Sequence, residues 1–503
     1  MTEETRTPGA RGAPAQAEAE SAARNLDATI LRSSGWVAVS LAGKQLASLL
    51  ALLVLARLLE PEAFGVVSLA WAVLAFVEQL QETGVGAALV YRREDLAVAA
   101  ASALLWGTAA SVALYVVIFA LAPFLSTLLH SPQLTWVLRV LALVVVFRGL
   151  GAVPTALLER SFAFRARSKA DVASALVQVV VSLALAAAGA GVWSLVGGAV
   201  AAGCTQLAIL WFVLPWYPSP RRASRAVLRE MMRYGRYVGV GNVLNVIENT
   251  IDNFAVARFV GVSALGFYSV SFRLANFPNA VLGHIVGRVT FPAYSRVRDD
   301  RDALRRLYVQ NLQRISLVSL PVSVGIMVGA EPLVVALMGE QWTPSVTPLR
   351  ILAVYGLVKS FASPAGSVFK GLGQPHFGPL VSALHLVLAV PLLYALTRLY
   401  GIDGAAAAVL ILMVVVSAPA VGIAMRLVDL RLGELARALA SQFLCAGLLA
   451  IALLVVVRQT SSLSPWLSLV VLTVVGAAVF AGASALFSRD VLVPMWVSLR
   501  SSR

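Results

Sequence analysis

Charged residues make up only 13% of the 503 positions, and acids are the scarcer sign, with 25 Asp and Glu against 40 Lys and Arg. So little charge, beside 59% hydrophobic residues, excludes an ordinary soluble domain and places the chain among polytopic membrane proteins. Cysteine is nearly absent. Cys204 and Cys445 both fall in the middle of apolar runs, which excludes a disulfide framework and reads as two small buried hydrophobes. The four histidines, His130, His284, His376 and His385, are too scattered for a metal-spaced cluster, so no metal site is expected. There is no Walker A run, so no nucleotide is expected as an energy source. Residues 1–32 lack the apolar core of a secretory signal and read as a polar, disordered tail. The formal net charge of +15 would suggest nucleic acid in a soluble protein. In a membrane protein the positive-inside rule accounts for most of it, and no nucleic-acid partner is expected.

Long hydrophobic runs are what remains. About 20 apolar residues span a bilayer, and fourteen stretches qualify: 33–55, 64–82, 97–121, 134–158, 169–188, 192–215, 234–257, 265–290, 309–330, 347–369, 378–398, 402–425, 435–457 and 466–487. Short connections leave no loop able to hold a catalytic domain, which argues against an enzyme. Alternating the spans from a cytoplasmic N-terminus puts 27 Lys and Arg on that side and four (Arg57, Arg258, Arg398, Arg458) on the other. The bias predicts both termini in the cytoplasm.

The chain also repeats. Ala56-Arg57 to Gly65 after the first span matches Ala257-Arg258 to Gly266 after the seventh, an offset of 201, and Pro154 is echoed by Pro364. Six spans per unit is an even number, so the two units share one orientation, as in parallel-repeat transporters. The expectation is an all-α polytopic protein of about 14 transmembrane helices. Its parts are an N-terminal lobe (33–215), a basic cytoplasmic linker (216–233), a C-terminal lobe (234–427), two extra helices (428–488) and a cytoplasmic tail (489–503).

Nine cations lie inside spans: Lys44, Arg139, Arg148, Arg236, Arg273, Arg288, Arg314, Arg350 and Lys359. Each costs roughly 2.5–3.5 kcal/mol at a helix centre, so a water-filled cavity is their expected home, and a cationic cavity suggests an anionic cargo. Asn242, Asn245, Asn249 and Asp252 share one face of the seventh span, with Glu248 beside them, and the offset of 201 sets Asn245 against Lys44 of the first. That pattern predicts a cavity between the lobes, with Lys44 on one wall and the carboxylates on the other. Arg273, Asn276, His284 and Arg288 form a stripe on the eighth span. Arg273 is the leading phosphate ligand, because its planar fork binds phosphate oxygens in pairs. An ion pair with Glu248 or Asp252 is its alternative role. Arg148, Asn276 and Lys359 join Lys44 and Arg273 as candidate substrate-binding residues. Glu78 and Glu82 on the second span are set to pair with Lys44 or Arg148 or to carry a coupling proton. Arg288 and Lys370 sit at the cytoplasmic mouth, and Arg139 and Arg350 fall on bundle edges.

Several stretches then resemble a known family. Ala56 to Gly65, Glu82-Thr83-Gly84-Val85-Gly86, Thr250-Ile251-Asp252-Asn253 and Gly266-Phe267-Tyr268-Ser269 resemble the oligosaccharide flippases of the multidrug/oligosaccharidyl-lipid/polysaccharide superfamily. Phe291-Pro292-Ala293-Tyr294-Ser295-Arg296 and Gly339-Glu340-Gln341-Trp342 look especially like the branch holding the colanic acid and teichuronic acid exporters. The resemblance covers about residues 30–430. It implies alternating access and a polyprenyl-pyrophosphate-linked, anionic oligosaccharide carried from the cytoplasmic to the outer leaflet of a bacterial inner membrane. It also implies a polysaccharide polymerase and glycosyltransferases as partners, and no cofactor. Proton coupling, sodium coupling and the membrane potential all stay open as the energy source. The cation excess is consistent with that cargo. A lipid II flippase, a multidrug antiporter of the same superfamily and a non-transporting scaffold are the other readings.

Overall fold

The computed structural model describes residues 43, 45–81, 89, 95–161, 163–214, 219–374, 376–460 and 462–488. Side chains are described throughout these except at 80, 164, 220, 228, 230–243 and 280–293. The elements are helices α1 (Gln45–Leu58), α2 (Pro61–Gln81), α3 (Leu96–Leu128), α4 (Leu134–Leu141), α5 (Leu143–Arg160), α6 (Phe164–Ala187) and α7 (Val192–Val213). They continue with α8 (Arg225–Phe259), α9 (Val262–Arg296), α10 (Arg301–Val328), α11 (Ala330–Met338), α12 (Val346–Gly371), α13 (Phe377–Leu427), α14 (Leu432–Gln459) and α15 (Pro465–Phe487). No strand occurs among the described residues. In hydrocarbon only a helix satisfies its own backbone, so an apolar chain of this kind has little alternative.

Ten helices among the described residues are long and apolar enough to cross a membrane. The chain is a multi-pass, all-α membrane protein, while length and composition do not by themselves fix fourteen crossings. Several expected spans take a different form. The fourth is two helices, α4 and α5, which meet at Ala142. The ninth continues past Gly329 into the short α11. The eleventh and twelfth run together as α13, 51 residues long, with Gly401 at φ 60°. At about 1.5 Å per residue α13 is more than twice as long as the hydrocarbon core of a bilayer is thick. The left-handed backbone at Gly401, open to glycine at no steric cost, is therefore where it turns back. α8 and α9 fall short of the hydropathy of a plain span because they carry the polar faces that line the cavities. The expected linker 216–233 is also shorter than its charge suggested. Arg225 already begins α8, since no proline follows Pro220 to stop a helix there. The tails 1–32 and 489–503 lie outside the described residues.

The repeat has a physical counterpart. Pro61 opens α2 and Val262 opens α9, and the offset of 201 maps one onto the other. A Cβ added at Gly65 would collide with the carbonyl of Val262, and one added at Gly266 with the carbonyl of Pro61. Each unit's glycine therefore seats the other unit's helix start, as an internal two-fold axis requires. The same charge-poor end is locked by side chains. Trp342, fully buried, donates from its indole nitrogen to the Ala56 carbonyl at 2.7 Å, and Gln341 donates to the same oxygen at 3.1 Å. Arg57 donates back to the carbonyls of Ala336 and Leu337. Trp342 sits edge-on to Phe64 and Phe267, with ring centroids 5.3 and 5.7 Å away. Tyr294 of α9 is likewise buried, accepting a 3.0 Å hydrogen bond from Asn311 of α10. Within the resemblance motifs, Gly65, Gly266, Tyr294, Gln341 and Trp342 are thus packing residues.

Candidate functional site

The polar residues gather around two separate spaces rather than the single cavity expected from sequence. The first is a cleft of about 150 Å³ lined by Gln45 and Ser48 of α1, Trp71 of α2, Gln178 and Ser182 of α6, and Arg273 of α9. Arg273 thus reaches from the second repeat unit towards helices of the first. It is exposed to this space and has no ion-pair partner among the described residues. A smaller pocket of about 130 Å³ adjoins the cleft, shares Trp71, Ala175 and Gln178 with it, and holds Arg148. Arg148 forms an ion pair with Glu78 of α2, and their side chains are 51% and 17% exposed. Gln81 donates to the Val145 carbonyl at 3.2 Å and ties α2 to α5 beside that pair.

The second space, about 420 Å³, lies within the C-terminal half, between α8, α9, α12 and α13. Asn245, Glu248, Asn249 and Asp252 all line it, so the polar stripe of the seventh span does face a cavity. Its ionisable groups have polar partners within the cavity. His385 of α13 stands 3.7 Å from Glu248. Tyr268 donates to Asp252 at 2.7 Å, and the Asn253 amide donates to the other carboxylate oxygen at 2.9 Å. Lys359 donates to the Tyr355 hydroxyl at 3.1 Å, one turn back on α12, and its ammonium is 5.4 Å from that ring's centroid. Asn249 donates to the Asn245 side chain at 2.6 Å.

The expected grouping therefore divides. Lys359 does not share a space with Arg148 and Arg273; it belongs with the carboxylates of α8. The repeat offset points the stripe at the other lobe, but it faces α12 and α13 of its own half. Arg273 is not paired with Glu248 or Asp252, which take His385 and Tyr268 instead. Asn276 is half-buried and accepts a 3.3 Å hydrogen bond from Asn279, and of the two Asn279 lines the larger cavity. Lys370 is exposed at the end of α12. Arg350 pairs with Glu331 at 3.5 Å on the surface, and Arg139 packs over Phe119 and Trp136, both edge positions. Lys44 and Glu82, and the side chains of Arg236, Asn242, His284 and Arg288, lie outside the described residues.

Sequence reasoning assigned no role to Gln45, Ser48, Gln178, Ser182, Tyr268, Tyr355 or Asn279, and read His385 only as one of four scattered histidines. Gln45–Ser48 and Gln178–Ser182 carry the i, i+3 and i, i+4 signal of one helix face, as does Tyr355 with Lys359. Neutral polar residues are common in spans, which hides that signal. No cluster of three or more metal-ligating side chains occurs among the described residues. Chemically, the cleft offers cationic and amide donors to an anion, and the larger cavity offers a carboxylate pair with its own cation.

A sequence model of a family described as polysaccharide biosynthesis protein matches residues 54–347. The chain is 28% identical over 394 residues to the succinoglycan biosynthesis transport protein ExoT of Rhizobium meliloti, covering 78% of each chain. It is 27% identical over 384 residues to a membrane protein from the cps region of Klebsiella pneumoniae, covering 76% of this chain and 79% of that one. Among solved structures, the lipid II flippase MurJ in an inward closed conformation superposes with a TM-score of 0.71 at 12% identity. That match covers 90% of this chain and 99% of the other, a likeness of fold alone.

Proposed function

The chain belongs to the polysaccharide biosynthesis protein family, and we propose that its cargo is a lipid-linked oligosaccharide whose phosphate groups are held at Arg273. The protein is a transporter of polysaccharide biosynthesis and not an enzyme. The observation that carries the cargo assignment is Arg273, exposed and with no ion-pair partner among the described residues, in a cleft where the two repeat units meet. A cation kept in a membrane protein without a protein partner is held for something else, and a planar donor fork suits phosphate. Arg148, next door and half exposed, supplies a second cation to the same path. The charge-poor end, with Arg57, Arg258, Arg398 and Arg458, faces outward; the basic end and both termini face the cytoplasm of a bacterial inner membrane. The chain moves its cargo from the cytoplasmic to the outer leaflet, where a polymerase receives it from glycosyltransferases acting inside.

Outward movement of the phosphate charges follows an inside-negative potential, worth about 2.3 kcal/mol per charge per 100 mV. The potential is the energy source this reading favours. Glu248 and Asp252 are the residues that would serve proton or sodium coupling instead. Deleting the gene tests the cargo. Polyprenyl-linked oligosaccharide should accumulate, identified by mass spectrometry, and normal levels would reject the assignment. Vesicles with clamped potential and varied pH test the driving force. Flux that ignores potential and follows pH would transfer the coupling to the carboxylates.

A further inference from the structure

Three turns of the N-terminal half enclose a groove of about 630 Å³ at the charge-poor end, separate from both cavities. It is lined by Trp136 at the start of α4 and Trp193 at the start of α7, by Glu60 and Glu62 at the start of α2, and by Gln133. Gly191, at φ 55°, completes the lining where α6 turns into α7, and no atom lies within 4 Å of where its Cβ would be, so its backbone is open to the groove.

Exposed tryptophan is ordinary at a membrane–water interface; the carboxylates and amide beside it are what this groove adds. Trp136 and Trp193 are 60% and 41% exposed, yet Trp136 is held in place. The Arg139 guanidinium sits 5.0 Å from its ring centroid and 4.2 Å from that of Phe119, and donates to the Phe119 carbonyl at 3.3 Å. Glu60 and Glu62 are in no ion pair among the described residues. A fixed indole offers a flat apolar face, while carboxylates and an amide accept and donate hydrogen bonds to hydroxyls. That combination matches one ligand chemistry, a pyranose ring, whose C–H face stacks on an aromatic and whose rim bears hydroxyls. Two carboxylates beside the rings repel an anionic sugar.

We propose that this groove is a saccharide subsite that receives neutral pyranose units of the glycan on the outer side, leaving the phosphates to the cationic cleft. The proposal rests on the transport reading for which side is outer and for why a saccharide arrives there. It assigns the two ends of one cargo to two sites of opposite charge.

The test uses full-length protein in nanodiscs of uncharged lipid, titrated with cellotetraose, mannotetraose and tetragalacturonate and followed by saturation-transfer NMR. At least one neutral tetrasaccharide should bind saturably. Trp136→Ala and Trp193→Ala should each weaken it about tenfold, with Trp→Phe restoring most of the loss. Tetragalacturonate should bind about tenfold more weakly, and Glu60→Gln with Glu62→Gln should erase that difference. Absence of saturable binding by both neutral probes overturns the subsite. So does binding that ignores both tryptophans. Tryptophan variants that lower thermal stability in the nanodisc but leave saccharide binding intact would place these rings in a headgroup belt instead. Flux of lipid-linked oligosaccharide, measured on the same preparation in vesicles, separates the two claims. Wild-type flux with a silent groove rejects only the subsite, whereas absent flux rejects the transport reading.

Discussion

The cleft at Arg273 and the larger cavity at Glu248 and Asp252 are built from the same residue types and treat their charges in opposite ways. In the larger cavity each ionisable group has a polar partner from within: Glu248 faces His385, Asp252 accepts from Tyr268, and Lys359 donates to Tyr355. In the cleft, Arg273 is exposed with no ion-pair partner among the described residues, and in the pocket beside it Arg148 keeps half its surface open despite Glu78. A buried charge kept for folding has a partner, because removing one leaves an uncompensated charge. A charge left open inside a membrane protein adds cost and no cohesion, so its return comes from a ligand. The contrast assigns binding to the cleft and rigidity or coupling to the larger cavity. It also explains why one cavity reads as cationic and the other does not.

Arg273→Ala should give the largest effect on transport and almost none on folding. Losing a charge-assisted, bidentate contact worth about 1.5–3 kcal/mol predicts a fall in vesicle flux of about tenfold to a hundredfold below saturation. Thermal unfolding should stay within about 0.5 kcal/mol of wild type, as for other exposed sites. Arg273→Lys should fall between the two, since a point charge loses the fork. Asp252→Ala should show the reverse pattern. It strands the buried Tyr268 hydroxyl and should cost about 1–3 kcal/mol of stability, read from the melting temperature in detergent. Asp252→Asn keeps an acceptor for Tyr268 and should recover most of that loss. If Arg273→Ala unfolded the protein while Asp252→Ala left it intact, the division between the two spaces would be inverted.

How far the sequence could anticipate this differs between the two. Hydropathy locates the plain spans, and the offset of 201 pairs Pro61 with Val262 and Gly65 with Gly266; in space each glycine abuts the other unit's helix start, Gly65 at Val262 and Gly266 at Pro61. The polar face from Asn245 to Asp252 was legible because 3-4-3 spacing fixes a face of a helix. Spacing does not say which neighbour that face meets: the repeat offset points it at Lys44 across the molecule, whereas α12 and α13 of its own half enclose it. Partner choice at Asp252 was hidden for the same reason. Tyr268 sits in a motif that carries the family resemblance, and its hydroxyl only gains meaning once α8 and α9 are packed together. Gln178 and Ser182 carry no formal charge and so gave hydropathy nothing to flag, yet they form the wall facing Arg273.

The ion pair of Glu78 and Arg148 lies at the boundary between the two behaviours, and its effect should be the smallest. If it belongs to the cleft, its members should affect cargo with opposite signs. Glu78→Gln removes a carboxylate that competes with the cargo for Arg148 and should lower the apparent KM, by about threefold at most. Arg148→Ala leaves Glu78 beside the path and should raise KM more than the double variant does. The coupling energy in stability should be only about 0.2–1 kcal/mol, since Arg148 is 51% exposed and solvent screens it. If both single variants instead lower the melting temperature and change KM equally, the pair is a strut between α2 and α5. The cleft would then hold a single binding cation among the described residues, and the contrast with the larger cavity would rest on Arg273 alone.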